Sequence, residues 1–338
     1  EGRFHRARAA REGAGPGRVA PWRGPLATPV VGAELQLDVS PSCAAADPRR
    51  GEVVAVTDRA VVVHDLANPA PRLTRSELEG FGRAFDERVY PLVSSTYGPP
   101  TDLDGNGRVI LFFTRGVNDQ GLGGSSIVAG FFWSGDLFPP AECATSNGAE
   151  ILYLMVPDGS GAGDVIIEPE LVRQLTVATM AHELQHLVNA GTRVHRLDTE
   201  QFEETWLNEG LSVVAEELLF YDATGLGPGL ELGAELAADA ALGEAFDRYQ
   251  LGNVGRYDIF LRAPRSFSPM GNDALATRGA TWSFLRYALD RDPAADAGTL
   301  SSLVSTGRTG LENLGDALGT RPVDWMGDWA VSVLLDDL

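Results

Sequence analysis

The sequence predicts an α+β fold, with a sheet built by the first half of the chain and a helical lobe built by the second. Apolar, β-branched runs concentrate between residues 51 and 157, whereas helical spacing of apolar residues dominates from residue 169 onward. Strands followed by helices, rather than alternating with them, are typical of this fold class. Hydrophobic residues make up 44% of the 338 positions, which is enough for a substantial core.

The strands of the first half are predicted from their composition. Residues 51–65 hold two β-branched runs separated by a polar pair, which indicates a hairpin. A helix should follow over about 75–96, because Thr74 and Glu77 have the spacing of a capping box and apolar residues recur behind them at helical spacing. Further strands are predicted within 101–113, 126–133 and 149–157.

The helices of the second half begin at Glu168 and Pro169, a pair that suits the first turn of a helix. Gly191 occupies a position where a helix often ends on a residue with positive φ. The predicted helices cover residues 169–190, 203–221, about 230–250, 277–291, 310–318 and 322–335.

Three segments are expected along the chain. Residues 1–23 hold six arginines against two acids and are rich in Gly, Pro and Ala, so we expect a flexible basic leader over residues 1–35. Binding of this leader to an anionic surface is an alternative role for its charge. We assign residues 36–200 to the sheet and the long helix that begins at Pro169, and residues 201–338 to a helical C-terminal subdomain.

Composition excludes several classes of function. The formal net charge of −20 argues against a nucleic-acid partner, because phosphate would be repelled. All 27 basic residues are arginine, so enzymes that depend on a lysine, such as Schiff-base enzymes, Walker-loop proteins and Ser-Lys hydrolases, are excluded. No apolar run approaches the roughly 20 residues of a membrane-spanning helix, so we expect no transmembrane segment.

The two cysteines, Cys43 and Cys143, are too few for a thiolate metal cluster. We expect a disulfide bond between them, in a chain exported to an oxidising compartment. Two buried free thiols are the alternative. The expected location is therefore extracellular or periplasmic.

The strongest motif is HELQH at residues 182–186. His182 and His186 lie four residues apart, so on a helix both imidazoles face the same side, with Cβ atoms about 5–6 Å apart. Glu183 lies on the adjacent edge, where it can reach a water molecule without being a ligand. The pattern predicts a zinc site with Glu183 as its general base.

Catalytic zinc sites usually have three protein ligands. The motif that uses a third histidine needs Gly and His where Asn189 and Thr192 stand, so we expect His195 to be a loop or surface residue. Glu209 lies on the next predicted helix beside an apolar face, where a carboxylate is costly to bury unless it is paired or binds a metal. We predict Glu209 as the third ligand. Glu216, two turns later, is predicted to bond a ligand histidine, with a solvated acid as the alternative.

A calcium site is a further possibility, because Asp102, Asp104, Asn106 and Gly107 match the first half of a calcium-binding loop. Phe113 stands where the closing bidentate glutamate belongs, so a tight polar turn is the alternative.

HELQH followed by WLNEGLS resembles the gluzincin metallopeptidases, whose third zinc ligand is a glutamate. Together with DLDGNGRVILFFT and SNGAEILYLMVP, these motifs are most similar to the hyicolysin-type bacterial peptidases, over about residues 50–290. The resemblance implies a zincin-like catalytic domain with a twisted sheet beside the metal helix, one zinc ion, and peptide or protein substrates. It also implies a strand beside the cleft that pairs with the substrate, a role that residues 149–156 would suit.

The sequence departs from this pattern at one position. Aminopeptidase-type gluzincins place an oxyanion-stabilising tyrosine shortly before a Lys-Gly pair, whereas Ala276 stands there in this chain and Arg278 precedes the glycine. Tyr249, Tyr257 and Arg278 are the candidates to replace that tyrosine.

The sequence therefore predicts a secreted, zinc-dependent metallopeptidase. The alternatives are a non-catalytic zincin-like module that retains the metal site for binding or adhesion, a metal hydrolase with non-peptide substrates, and a purely structural helix without metal.

Overall fold

A mixed six-stranded sheet accompanied by many helices forms the described part of the protein, which confirms the predicted α+β fold. The computed structural model describes residues 28–121, 127–160, 165–199, 201–229, 232–291 and 296–335. Most of the predicted leader lies outside these ranges, although Glu34 and Leu35 belong to the first strand. The division at residue 200 stays a prediction.

Six strands build the sheet: β1 (Glu34–Asp38), β2 (Pro48–Val56), β3 (Ala60–Asp65), β4 (Val109–Phe113), β5 (Gly130–Phe132) and β6 (Ile151–Leu154). Their order is β1-β2-β3-β4-β6-β5. β4 is parallel to both β3 and β6, and the remaining pairs are antiparallel. β4 and β6 are wholly buried apolar runs, as is typical of strands covered on both faces. Among the described strands, β1 and β5 are the two edges of the sheet.

The predicted hairpin of residues 51–65 is confirmed as β2 and β3. Thr57 N donates to Ala60 O across the turn at 2.9 Å, and the Asp86 carboxylate accepts from Asp58 N and Arg59 N. The predicted strands near residues 109, 130 and 151 are also confirmed, although residue 126 lies outside the described residues. β1 was not predicted, because ELQLD offers only two apolar side chains.

Twelve α-helices lie within the described ranges: α1 (Arg75–Ala84), α2 (Tyr90–Tyr97), α3 (Arg115–Asn118), α4 (Pro169–Gly191), α5 (Thr205–Thr224), α6 (Glu235–Ala238), α7 (Ala240–Tyr249), α8 (Leu251–Leu261), α9 (Leu275–Asp290), α10 (Asp296–Val304), α11 (Gly310–Leu318) and α12 (Met326–Leu335). None of these helices combines the length and the apolar content that crossing a bilayer requires.

Most predicted helices are confirmed, with local differences. The capping box of Thr74 and Glu77 begins α1, and a π-helical turn joins α1 to α2. Asp239 divides the helix predicted over 230–250, because its side chain caps α7 by accepting from Ala241 N and Leu242 N. α8 and α10 were not predicted. In α8, two glycines within LGNVGRYDIFL lower the helical propensity.

α4 carries the HELQH motif and packs against β5, β6 and α5. The prediction that Gly191 ends this helix with positive φ was wrong, because its φ is −62° and the chain continues into a π-helical turn, Thr192–Arg196. A glycine is needed there for a different reason. A Cβ atom at Gly191 would lie 2.9 Å from the side chain of Thr101.

A buried ion pair between Arg193 and Glu203 fixes the connection between α4 and α5. Arg193 Nε donates to Asn189 Oδ1 at 2.9 Å. The Glu203 carboxylate accepts from Gly310 N at 2.7 Å and from Asn313 Nδ2 at 2.7 Å. The segment that sets α5 relative to α4 is therefore anchored to α11.

The predicted disulfide bond between Cys43 and Cys143 is present. It joins the segment that follows β1 to the segment that precedes β6, and Cys143 is fully buried.

Candidate active site

α4 and α5 bring the three predicted metal ligands together. His182 Nε2 lies 3.4 Å from Glu209 Oε2, and His186 Nε2 lies 3.6 Å from Glu209 Oε1. Each residue offers one ligand atom within 4.8 Å of the others. The centroids of the two imidazole rings are 4.8 Å apart, with the ring planes inclined by 80°.

The donor atoms fit a divalent metal ion. Two imidazole nitrogens and one carboxylate oxygen are a set that zinc accepts in catalytic sites. Glu209 Oε2 is buried and accepts no hydrogen bond, although Arg278 Nη1 lies 2.9 Å away. A buried carboxylate oxygen without a hydrogen bond is rare, and a metal ion bound beside the two imidazoles would give it a ligand role.

Glu216 holds one of the two histidines. Its Oε1 lies 2.7 Å from His182 Nδ1, so Nε2 is the nitrogen of His182 that faces Glu209. Glu216 is only 6% exposed, which does not fit a solvated acid. Burial opposes its ionisation, but Arg256 and His182 outweigh burial and lower the pKa of Glu216 to about 2.

The same carboxylates affect His182 itself. Burial acts to lower the pKa of His182, but the adjacent carboxylates of Glu209 and Glu216 prevail and raise it to about 9 in the metal-free protein. The pKa of Glu209 is lowered, because His186, His182 and Arg278 together outweigh the effect of burial. The site thus concentrates opposite charges in a largely buried space.

Ser212 lies beside the second histidine and was not predicted. Its Oγ is 3.1 Å from His186 Nδ1 and donates to Gln185 Oε1 at 2.6 Å. The signal was present in WLNEGLS, because Ser212 follows Glu209 by three residues and so lies on the same helix face.

Two arginines from the C-terminal helices contact the carboxylates of α5. Arg278, on α9, lies 2.9 Å from Glu209 and donates through Nε to Asp273 Oδ1 at 2.6 Å. Arg256, on α8, donates through Nη1 to Glu216 Oε2 at 3.1 Å. Arg256 was not predicted, because α8 itself was missed.

Glu183 lies in the same cleft but outside the ligand group. It follows His182 on α4, is 6% exposed, and lines a cleft of about 690 Å³ together with His182, His186 and Glu209. A carboxylate at this position can reach a water molecule in the cleft while the metal ligands remain occupied.

β5 forms one wall of the cleft, through Gly130, Phe131 and Phe132. The expectation that residues 149–156 supply the substrate-facing strand was wrong. β6, the strand within that range, lies between β4 and β5, so neighbouring strands occupy both of its edges. β5 is the edge strand at the cleft.

The three candidates to replace the missing tyrosine differ in position. Arg278 and Tyr249 line the cleft, and the Tyr249 hydroxyl accepts from Arg88 Nη1 at 3.3 Å. Tyr257 is not among the residues that line the cleft. Its ring packs against Phe260 and Trp282 instead.

His195 is exposed, with Nε2 2.9 Å from Leu137 O, and it does not line the cleft. This placement agrees with the expected surface position.

The residues of the possible calcium site lie close together, and one further carboxylate joins them. Asp102 and Asp104 join Glu150 in a group whose ligand atoms lie within 4.8 Å of one another. Asn106 contacts this group through its Nδ2, which donates to Asp104, while its Oδ1 accepts from Arg108 N at 2.7 Å. Glu150 was not predicted as a member of this site because it lies far along the chain, directly before β6.

Comparison with known proteins gives a distant and partial similarity. No family model matches the chain. The chain is 29% identical over 147 residues to the neutral metalloprotease ShpI of Staphylococcus hyicus. The matched region is 43% of this chain and 32% of the relative, so the chain spans about a third of the length of the protein that it matches.

Proposed function

We propose that the protein is a secreted, zinc-dependent metallopeptidase of the gluzincin type, similar to the hyicolysin-type peptidases. One observation carries the proposal, which is the convergence of His182, His186 and Glu209 in a cleft that Glu183 also lines. The similarity to a neutral metalloprotease supports metallopeptidase chemistry. The disulfide bond supports export to an extracellular or periplasmic location.

His182, His186 and Glu209 would hold the zinc ion. When bound there, zinc supplies a Lewis acid that polarises the scissile carbonyl and lowers the pKa of water. Glu216 and Ser212 would hold the two imidazole rings in place through the contacts at their Nδ1 atoms.

Glu183 would act as the general base. Its carboxylate takes a proton from the attacking water and then delivers that proton to the leaving amine. Its place in the cleft, one residue after a ligand but outside the ligand group, supports this role.

Arg278 is the favoured candidate for stabilising the oxyanion. It is cationic, it lines the cleft, and its side chain is 24% exposed, so it can meet a substrate carbonyl. Tyr249 is only 5% exposed, and the ring of Tyr257 packs in an aromatic cluster.

β5 would bind the substrate backbone. An extended peptide can add to the free edge of a sheet through main-chain hydrogen bonds. β5 has that edge position and lines the cleft.

The proposal is tested by zinc stoichiometry together with casein hydrolysis. In Glu183→Gln we expect one equivalent of zinc to remain while the rate falls by about 10²–10⁴-fold, because only proton transfer is lost. His186→Ala should lose the zinc. The control is Glu170→Gln, which changes a glutamate on the same helix whose side chain is 80% exposed, and which should leave both measurements unchanged.

Full activity in Glu183→Gln, or zinc retained in His186→Ala, contradicts the proposal. Wild-type protein that binds zinc but cleaves no peptide supports the binding module or a hydrolase with other substrates. Wild-type protein without zinc supports the structural helix.

A further inference from the structure

Arg256 on α8 is linked to His182 through Glu216. Its Nη1 donates to both Glu216 oxygens, at 3.3 and 3.1 Å, and Glu216 Oε1 lies 2.7 Å from His182 Nδ1. A chain of three side chains, from α8, α5 and α4, thus ends on the imidazole of a proposed metal ligand.

The contact between Arg256 and Glu216 matters because Glu216 is buried. His182 and Glu216 are both buried, whereas the Arg256 side chain is about one-fifth exposed, at 21%. A buried carboxylate that loses its cationic partner is left with an uncompensated charge, which is strongly unfavourable. Loss of Arg256 would therefore let the Glu216 carboxylate move towards other partners or towards solvent, and the imidazole would lose its fixed hydrogen-bond acceptor.

The backbone that carries Arg256 is fixed from two sides. Asn253 is buried, accepts from Arg256 Nη1 at 2.8 Å and donates to Val213 O of α5 at 3.3 Å. On the other side, a Cβ atom at Gly279 of α9 would lie 2.3 Å from the backbone C and O atoms of Arg256. α9 therefore touches the α8 backbone at this residue, so Arg256 extends from a defined position between α5 and α9.

We propose that Arg256 is a positioning residue of the metal site, which holds the Glu216 carboxylate where it orients the His182 ring towards the metal. This inference rests on the proposed function, because it takes His182 to be a zinc ligand. Partners that orient metal-binding histidines typically change metal affinity 10–100-fold when they are removed. A single nitrogen, Nη1, makes both contacts with Glu216, so a lysine ammonium can replace it in part.

The experiment measures the zinc affinity of metal-free protein by competition with a chromophoric chelator. We expect Arg256→Met to weaken zinc binding by about 10–100-fold and Arg256→Lys to restore most of the affinity. The matched control is Arg262→Met, because Arg262 follows the same helix, is 76% exposed and pairs only with Asp258 among the described residues. Thermal unfolding of each metal-free variant confirms that the fold is retained. If Arg256→Met does not fold, Arg256→Gln replaces it with the same expectation.

A double-mutant comparison separates positioning from a general effect on the fold. If Arg256 acts through Glu216, Arg256→Met should weaken zinc binding less than about twofold further once Glu216→Gln is present, since contacting residues couple. Unchanged affinity in Arg256→Met, or the same loss with and without Glu216→Gln, overturns the inference. Wild-type protein that binds no zinc contradicts the proposed function itself, which keeps the two failures distinguishable.

Discussion

Replacing Glu150 with glutamine tests how a buried carboxylate controls the pH dependence of stability. Glu150 is 1% exposed, and its oxygens accept from Leu103 N at 3.0 and 3.3 Å. Burial disfavours its charged form, and the nearby Asp104 carboxylate adds to that effect. Together they raise the pKa of Glu150 from 4.5 to about 7.

The direction in which stability changes with pH follows from how many protons the folded and unfolded states bind. Between pH 4.5 and about 7 the folded protein holds a proton on Glu150 that the unfolded chain has released, so stability falls as pH rises through this window. This loss of stability is nearly complete once the pH exceeds about 7, and it is nearly absent below pH 4.5. Each tenfold difference in proton affinity corresponds to about 1.4 kcal/mol, so Glu150 contributes at most about 3.5 kcal/mol to the decrease in stability over the whole window.

The assay is urea unfolding at pH 5 and pH 8, with a chelator present so that no divalent cation binds. Glutamine keeps an acceptor for Leu103 N but cannot ionise, so Glu150→Gln should gain stability relative to wild type between pH 5 and pH 8, by up to about 3 kcal/mol. Glu170→Gln, at an exposed position, serves as the control. A difference between Glu150→Gln and wild type that is the same at both pH values would refute the reasoning.

Two further predictions concern the calcium group and the disulfide bond. The calcium hypothesis predicts that calcium raises the melting temperature more at pH 8 than at pH 6, because the pKa of Glu150 is about 7 and this carboxylate must be ionised to bind the ion. Glu150→Gln should abolish the rise. No response at pH 8 would contradict it. Replacing both Cys43 and Cys143 with serine should lower the free energy of unfolding by up to about 4–5 kcal/mol, because the bond closes a loop with a sequence separation of 100 residues. Urea unfolding measures this loss, and a change below about 1 kcal/mol would be inconsistent with it.

Much of the fold followed from local patterns. The capping box at Thr74, the hairpin over residues 51–65 and the helix that carries HELQH each depend on residues within one or two turns of each other. Two local patterns were misleading. The glycines of α8 lower its helical propensity, so the helix was not predicted from the sequence. Gly191 was predicted to end α4, but its lack of a side chain instead allows close contact with Thr101.

The amino-acid sequence by itself determined which side chains are available for chemistry and which of them share a helix face. His182 and His186 face the same side of any helix of this sequence, because a spacing of four residues fixes their separation, and Glu183 lies on the adjacent edge. The tertiary structure alone decided the partners that come from distant segments. These are Arg256 and Arg278 beside the carboxylates of α5, Glu150 beside Asp102 and Asp104, and β5 rather than β6 at the cleft. Contacts across such long separations depend on how helices and strands pack together, and many packings are compatible with the same local pattern.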